Sequence, residues 1–368
     1  MADAKRKRML ALCPFPEGVA AGQRLKYEQY FPDWRRQGWE ITVSPFMDEA
    51  LWRIVYQPGR TAAKGMGVAR GELRRLRDYL RVGQYDLVYI HMNVTPLGSS
   101  ATERLVRARA KRIIYDLEDN VMNGSAGARV NPLAALLKGT GKIRYLIAQA
   151  DHVIASSPTL AESCAALNRR GRATYISSSV DTDRFVPAPP RDGGPVTIGW
   201  TGTFSSRPYL DLLSPVFRRL AERVQFRLRV IGNFAYQLPG VDLEVVTWTK
   251  EREVEDLQGF DIGVYPLPVD DWVSGKSGLK AIQYMAFGIP PVATDVGTTP
   301  LLIRDGENGL LVRTEDEWVD ALERLVRDPA LRARLGAAAR ADAVARYSTA
   351  AIATDYRRVL DKVMAVPA

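Results

Sequence analysis

Gly275-Lys276-Ser277-Gly278-Leu279-Lys280-Ala281-Ile282-Gln283-Tyr284-Met285-Ala286-Phe287-Gly288-Ile289-Pro290-Pro291-Val292-Ala293-Thr294 is the stretch from which the fold of this chain is read. It predicts a loop of small residues, a short helix, a glycine stop and then a strand. Gly275, Ser277 and Gly278 carry little or no side chain, so the backbone there can approach a ligand closely. Ser277 is the expected cap of the helix that follows. The free N–H groups of a first helical turn attract an anion such as a diphosphate. Lys276 adds a full positive charge at that mouth. Lys276, Lys280 and Gln283 are four and then three residues apart, which predicts one shared helical face. Gly288 and Pro290 end the helix in the usual order. These residues fit a nucleotide-diphosphate site, and they equally fit a plain core helix with an exposed lysine pair.

On both sides of this stretch, apolar runs of strand length alternate with helical patterns, which predicts a mostly parallel α/β architecture. In the first half the expected strands are Arg8–Cys13, Glu40–Ser44, Tyr85–His91, Arg112–Asp116, His152–Ala155 and Ala173–Ile176. Helices are expected at Gln23–Gln37, Thr61–Val82, Asn131–Gln149 and Pro158–Leu167. The rhythm breaks at Phe185–Pro195, which is rich in Pro and Gly and reads as a linker. It restarts with strands at Val196–Trp200, Arg227–Ile231, Asp261–Tyr265, Val292–Thr294 and Leu310–Val312. Helices there are expected at Pro208–Arg223, Glu251–Leu257, Glu315–Val326, Pro329–Ala345 and Thr349–Met364. Two such halves predict two Rossmann-like, doubly wound domains facing a central cleft. The expected bounds are 1–186, a linker over 187–195, 196–346, and a C-terminal helix over 347–368.

At 368 residues the chain exceeds one ordinary core, in keeping with two domains. Its 46% apolar and 25% charged residues are those of a soluble globular protein. No apolar run reaches the ~18 residues of a membrane-spanning helix. The basic start Met1–Arg8 is followed by an apolar run, Met9–Cys13, too short for a signal peptide. Cys13 and Cys164 do not make a disulfide scaffold, so a reduced, cytoplasmic setting is expected. The net charge of +9 is uneven. Residues 1–185 hold 29 Lys+Arg against 18 Asp+Glu, and residues 186–368 hold 22 against 24. The basic half fits an anionic partner such as a membrane surface or a phosphorylated lipid. It also fits plain solvated arginine. Nucleic acid is not expected as a partner, because the basic stretches lack interleaved aromatic residues and any recognised motif.

Each half opens with a strand, a glycine-bearing loop and a helix. The first loop carries Gly18 and Gly22, with Arg24 just inside the helix. The second is Gly199-Trp200-Thr201-Gly202-Thr203-Phe204-Ser205-Ser206-Arg207. Neither is a dinucleotide GxGxxG, though small residues with one Arg can hold phosphate or sugar oxygens. A tight turn with a surface Arg accounts for them equally. Tyr115-Asp116-Leu117-Glu118-Asp119-Asn120 puts three carboxylates at the C-terminal end of a strand, the edge that faces ligands in open α/β sheets. There they can grip sugar hydroxyls or steady a developing positive centre, or serve only as caps and solvated charges. His91 ends another strand at that edge, and His152 is given no role. Two scattered His and two Cys make no zinc site. The adjacent Asp270-Asp271 is not a metal pair, and neither a Walker loop nor a GxSxG elbow is present.

Taken together, these residues resemble glycosyltransferase family 4, the large retaining family with the GT-B fold. The resemblance covers nearly the whole chain. Gly275–Thr294 is similar to the family's E-x7-E helix and the segment after it. Asp305-Gly306-Glu307-Asn308-Gly309-Leu310-Leu311 is similar to its "DGENGLLV" strand. Ser177-Ser178-Ser179-Val180-Asp181-Thr182-Asp183-Arg184-Phe185 is similar to its interdomain "NGVDTDRF", and Ile198–Gly202 to the loop opening its donor domain. The chain resembles a variant subgroup: the family's second Glu, which binds ribose, is Gln283, and its first, which contacts the donor sugar, is Gly275. The family's diphosphate-binding Arg/Lys pair falls near Thr203 and Arg207, and its first-domain His falls at Glu118.

The resemblance implies a metal-independent retaining transferase without a bound cofactor, its donor a UDP- or GDP-linked sugar. Lys276 and Arg207 are implied on the diphosphate and Gln283 on the ribose. Gly202, Thr203, Ser277, Gly278 and Leu279 are implied around the donor, with Trp248 near the base. Glu118 is implied beside the reacting sugar. Gly22, Arg24, His91 and Asp119 are implied on the sugar or acceptor side. The acceptor is expected to be a glycan or lipid-linked molecule at the inner face of the cytoplasmic membrane, in surface-polysaccharide assembly. The last helix is expected to pack back on the first domain. A missing carboxylate at Gly275 leaves a second reading open: a non-transferring relative, either a sugar-nucleotide epimerase or a silent sugar-nucleotide-binding partner.

Overall fold

Parallel pairing governs both halves of the chain. The structure, a computed structural model, describes residues 6–96, 100–118, 140–189, 193–269 and 273–366. The first half holds β1 (Lys7–Cys13), β2 (Trp39–Pro45), β3 (Leu87–His91), β4 (Ile113–Leu117), β5 (His152–Ala155) and β6 (Ala173–Tyr175). They form one sheet in the order β2-β1-β3-β4-β5-β6. The second half holds β7 (Val196–Thr201), β8 (Phe226–Gly232), β9 (Leu243–Thr247), β10 (Ile262–Tyr265), β11 (Pro291–Thr294) and β12 (Leu310–Val312). Their order is β12-β11-β10-β7-β8-β9. The fold is α/β, two parallel six-stranded sheets with helices between the strands.

Central strands such as Leu87-Val88-Tyr89-Ile90-His91 are buried at every position, as a sheet covered on both faces requires. Parallel register sets Leu12 beside Ile90 and His91 beside Asp116. One core gathers Leu10, Val88, Ile90, Ile113 and Leu146. The other gathers Ile198, Trp200, Phe217, Val264 and Trp318. The chain divides into two units: one runs to Ser177 and takes back the chain from Ala353, and the other is Ser178–Ile352. Phe185, in the proline-rich stretch, packs on Phe287 within the second unit. Tyr356 of the last helix packs on Tyr30 and Trp34 within the first.

Two expected helices are divided. In place of Gln23–Gln37 the chain forms Ala21–Arg24, a 3-10 turn at Glu28–Tyr30, and Phe31–Arg36. Pro32 explains the restart, because it lacks an N–H and is tolerated only in a first turn. Pro215 does the same where the expected Pro208–Arg223 becomes Arg207–Asp211 and Ser214–Ala221. Glu49–Val55 and Ala101–Arg109 are helices that the sequence pattern did not predict. Of the expected Asn131–Gln149, the described part is the helix Thr140–Gln149.

Candidate functional site

In the second sheet the chain runs from β7 outward to β8 and β9, then crosses to β10, β11 and β12 on the other side. Strand order therefore reverses between β7 and β10, and ligands of open α/β sheets bind outside the C-terminal ends at such a reversal. The glycine loop Thr201–Ser206 leaves from β7, and the chain entering Gly275–Gly288 leaves from β10. Side chains join them. Lys280 Nζ lies 3.4 Å from Ser206 Oγ and 4.8 Å from the Trp200 ring centre. Lys276 Nζ lies 5.9 Å from the Tyr209 ring centre. The Thr201 N–H donates to Tyr284 Oη at 3.2 Å. Thr298 Oγ1 donates to the Lys276 carbonyl at 2.7 Å, which fixes the backbone below the lysine.

The helix opening there is Leu279–Ala286. Its N-cap is Gly278, at φ 72°, and no side chain caps it. A β-carbon at 278 would stand 2.2 Å from Leu302 Cδ1, so both the left-handed turn and the space require glycine. Two expectations are corrected here. Ser277 does not cap the helix, and Lys276 stands before it rather than on a face shared with Lys280 and Gln283. The sharp turn at Gly278 is the reason for both. Without a side-chain cap, the first turn of this helix suits an anion. The helix ends as expected: Gly288 is left-handed, and Ile289 N–H reaches back to the Tyr284 carbonyl at 3.0 Å. Gln283 is buried, and its side-chain amide bonds no described residue.

Gly202 is also required by space, since a β-carbon would meet Trp200 at 2.4 Å and Ser206 Oγ at 2.5 Å. Thr203 closes a capping box with Ser206 in the turn that follows. Arg207 is half-exposed, 3.5 Å from the Asp211 carboxylate and 5.8 Å from the Tyr236 ring centre. Lys280, rather than Arg207, is the cation held against the loop. Trp248 follows β9, the outermost strand, and its N–H bonds the Gly232 carbonyl at 2.9 Å. It therefore stands two strands from the reversal.

In the first sheet the order reverses between β1 and β3. Gly22 and Arg24 follow β1, His91 ends β3, and Glu118 follows β4, all at the same C-terminal edge. Glu118 Oε2 lies 2.7 Å from the β-carbon position of Gly22. His91 is buried 4.9 Å from the Tyr27 ring centre. Burial pushes its imidazole down to about 4, against the opposing pull of Asp116, and Lys26 lowers it further. It is therefore neutral at pH 7. The next residue, Met92, is left-handed at φ 61°. Its N–H bonds the Asp116 carbonyl at 3.0 Å, and its own carbonyl accepts from Tyr115 Oη at 2.7 Å.

Asp116 is neither a cap nor a solvated charge. It is fully buried, 2.7 Å from Lys26 Nζ, and accepts the Tyr89 hydroxyl. Glu28 braces the first loop by accepting the Gly18 N–H at 2.8 Å. Burial raises the Glu28 carboxyl, while bonds from Gln23 and Gly18 and the nearby Arg24 lower it. Arg24 itself is buried. Asp119, Asp270 and Asp271 lie outside the described residues. His152 bonds Thr174 Oγ1 at 2.8 Å. Cys13 and Cys164 are free and buried. Sequence reasoning missed Lys26, Glu28 and Thr298. Each is an ordinary polar residue whose role comes only from a distant partner. Among the described residues no group of three His, Cys, Asp or Glu gathers as metal ligands. The second unit thus presents two ammonium groups, uncapped helical N–H groups and a tight glycine loop, a set suited to a diphosphate. The first presents a neutral imidazole and a carboxylate, suited to hydroxyls.

Residues 195–328 match the family described as "Glycosyl transferases group 1". A D-inositol 3-phosphate glycosyltransferase of Corynebacterium aurimucosum is 38% identical over 224 residues, which is 52% of this chain and 51% of that protein. The chain thus spans about half the length of that relative. Among solved structures, sucrose-phosphate synthase from Thermosynechococcus elongatus aligns at TM-score 0.71 and 17% identity, covering 98% of this chain and 100% of the other. Anabaena HepE in complex with UDP-glucose aligns at TM-score 0.64 and 15% identity, covering 96% and 99%. Residues 195–328 are therefore similar to group 1 glycosyl transferases, and the chain has the α/β GT-B fold of two Rossmann-like units.

Proposed function

We propose that this chain is a retaining glycosyltransferase that takes a sugar from a UDP- or GDP-linked donor. One observation carries the reading: Lys276, Lys280 and the uncapped start of Leu279–Ala286 gather with the Gly202 loop at the β7/β10 reversal. The diphosphate is held there by the two lysines and the helical N–H groups of Leu279 and its neighbours. Gln283 takes the ribose and Trp248 flanks the base. The close backbone at Gly202, Thr203, Ser277 and Gly278 lets the donor approach. The HepE structure was solved with UDP-glucose, which favours UDP as the base carrier.

In the reaction the bond from the sugar's anomeric carbon to the diphosphate oxygen breaks, and its electron pair leaves with the diphosphate. The acceptor oxygen bonds the same face of that carbon, and its proton passes to the departing phosphate oxygen. Lys276 and Lys280 stabilise the charge that grows on the leaving group, the term to which enzymes commonly owe most of their rate. No metal or bound cofactor is needed in this scheme. Glu118 and His91, with Gly22 and Arg24, form the acceptor and sugar side. The acceptor is a glycan or lipid-linked molecule at the inner face of the cytoplasmic membrane, in surface-polysaccharide assembly. The basic first half supports that choice.

A thermal-shift screen against UDP-, GDP- and dTDP-sugars tests donor binding, because a tight ligand raises the melting temperature. No shift with any of them sinks the reading. NMR of the product then tests the stereochemistry: an inverted anomeric centre removes the retaining scheme. Gly275 favours a second reading, a non-transferring relative, since no carboxylate stands there for the donor sugar. Incubation with sugar nucleotide alone separates the two, as an epimerised sugar supports only the second.

A further inference from the structure

The long helix Thr61–Arg81 is built inside out. An ordinary surface helix turns its apolar stripe to the core and its charges to water. Here the residues facing the protein are Gly67, Gly71, Arg75 and Asp78, all buried. A β-carbon at Gly67 would come within 2.8 Å of Leu51, and one at Gly71 within 2.7 Å of Phe46. Arg75 is fully buried and donates to the carbonyls of Cys13 (2.9 Å), Ser44 (3.0 Å) and Val94 (2.6 Å). Asp78 accepts from Ser44 Oγ at 2.6 Å and pairs with Arg75 at 3.0 Å and Arg81 at 2.7 Å. Small residues and a closed polar network therefore hold the helix down, and leucine does not.

The leucines face outward. Met66, Leu73, Leu76 and Leu80 are 60%, 66%, 56% and 66% exposed. With the exposed Ala69 they recur at alternate spacings of three and four, which is one continuous stripe along the helix. Tyr56 (60% exposed), at the end of the preceding helix, is a further exposed aromatic residue. Arg60, Lys64, Arg70, Arg74, Arg77 and Arg81 are at least partly exposed, against the exposed Glu72 and against Asp48, which pairs with Arg70 and Arg74, a surplus of four positive charges; Arg75 and Asp78 are buried and pair with each other. The carbonyls that Arg75 binds end β1, nearly end β2 and follow β3. The turns before Arg75 therefore lie at and beyond the C-terminal edge of the first sheet, the edge that holds Gly22, His91 and Glu118.

We propose that this face of Thr61–Arg81 docks on the surface of an anionic lipid bilayer, its leucines in the headgroup–acyl boundary and its arginines on the lipid phosphates. Charge complementarity selects the occupant. A second copy of the same basic face is repelled, whereas an anionic leaflet attracts each Lys and Arg near its surface. The geometry is that of a helix lying in the interface, and no described helix is long and apolar enough to cross a membrane. The inference deepens the proposed function by naming how a lipid-linked acceptor is met, and it rests on that reading only for the lipid-linked acceptor. Vesicle binding needs no sugar nucleotide, so its failure and the failure of the transfer reaction are separate results.

The test is flotation of the full chain with vesicles of phosphatidylglycerol in phosphatidylcholine, and with phosphatidylcholine alone. Binding is expected to the anionic vesicles, at least about tenfold tighter than to the neutral ones, and to weaken as salt is raised. Leu73→Gln with Leu76→Gln and Leu80→Gln should lower it about tenfold or more with little change in melting temperature, because all three residues are more than half exposed. Lys64→Glu with Arg77→Glu, which touches no leucine, should abolish the preference for anionic vesicles and keeps the test readable if the triple variant misfolds. Failure of the parent to float, or equal flotation of the variants, overturns the proposal. So does a parent that light scattering shows as a dimer and the triple variant as a monomer, which assigns the stripe to a second copy.

Discussion

Glu118 Oε2 lies 2.7 Å from where a β-carbon on residue 22 would stand, so the carboxylate occupies space that Gly22 leaves open. The contact joins the residue after β4 to the short helix Ala21–Arg24 that follows β1, across the strand reversal of the first sheet. Gly22→Ala would push the carboxylate aside. The displaced atom is the tip of a flexible side chain, so stability should change by less than about 1 kcal/mol. Turnover should fall about tenfold or more if Glu118 contacts substrate, because small misplacements at a reacting centre are costly. Melting curves and steady-state kinetics on the same sample check both halves. Unchanged kinetics would remove Glu118 from the site.

Behind that contact lies the sealed pair Lys26–Asp116, at 2.7 Å with the Tyr89 hydroxyl on the same carboxylate. Lys26→Met should cost about 3–5 kcal/mol, because it strands a buried carboxylate. The double change Lys26→Met with Asp116→Leu should recover much of that loss, since no charge then remains without its partner. Denaturant unfolding of the two variants against the parent measures this. Equal losses in the single and the double variant would mean that packing, and not the charge pair, is what the site needs.

These two contacts also show where sequence reading stops. The alternation of apolar runs and helical patterns rests on local periodicity, so every strand but the half-exposed edge strand Leu243–Thr247 was legible, along with the helices Pro158–Leu167, Glu315–Arg327 and Thr349–Met364. Glycine and proline act locally as well, which is why the Gly288 stop was readable. Asp116 was not. Its partner is 90 residues away, and nothing in Tyr115-Asp116-Leu117 distinguishes an inner charge from an outer one. Ser277 misled because a serine before a helix is usually its cap, and the left-handed Gly278 displaced it. Lys280 lies within Gly275–Thr294 itself. Its contact with Trp200 and Ser206 depends on the register of a loop that starts some 75 residues earlier, about the span of a half-domain.

Buried imidazoles make the fold sensitive to acid. His91 has an ordinary pKa of 6.5, which burial lowers to about 4, and His152 is lowered to about 4 in the same way. At these two residues the unfolded chain therefore binds more protons than the folded chain between about pH 6.5 and 4. Stability should be whole above that window and fall as the pH drops through it, by at most about 3 kcal/mol for each histidine. Glu28 and Glu103 act in the opposite sense, because burial raises their carboxyls and protonation then favours the fold. The informative quantity is thus the difference between the parent and His91→Gln. The variant should lose less stability than the parent between pH 6.5 and 4, and parallel curves would mean that His91 is protonated in the folded protein.

The donor side offers the sharpest comparison, between Lys280 and Arg207. Both are basic and both border the Gly202 loop. Arg207 spends its charge on Asp211 at 3.5 Å and lies over Tyr236, whereas Lys280 lies over Trp200 and reaches Ser206. Asp211 beside Arg207 offsets part of the attraction that the guanidinium would have for a diphosphate. Lys276→Ala and Lys280→Ala should each lower turnover of the sugar nucleotide about 10²–10³-fold, the usual loss when a group that stabilises transition-state charge is removed. Arg207→Ala should cost about tenfold or less and appear mainly in the donor KM, as loss of uniform binding does. All three side chains are at least partly exposed, so melting temperatures should stay near that of the parent. If Arg207→Ala proves as damaging as Lys280→Ala, then the arginine leaves Asp211 when the donor binds, and the charge on the leaving diphosphate is shared by three cations rather than two.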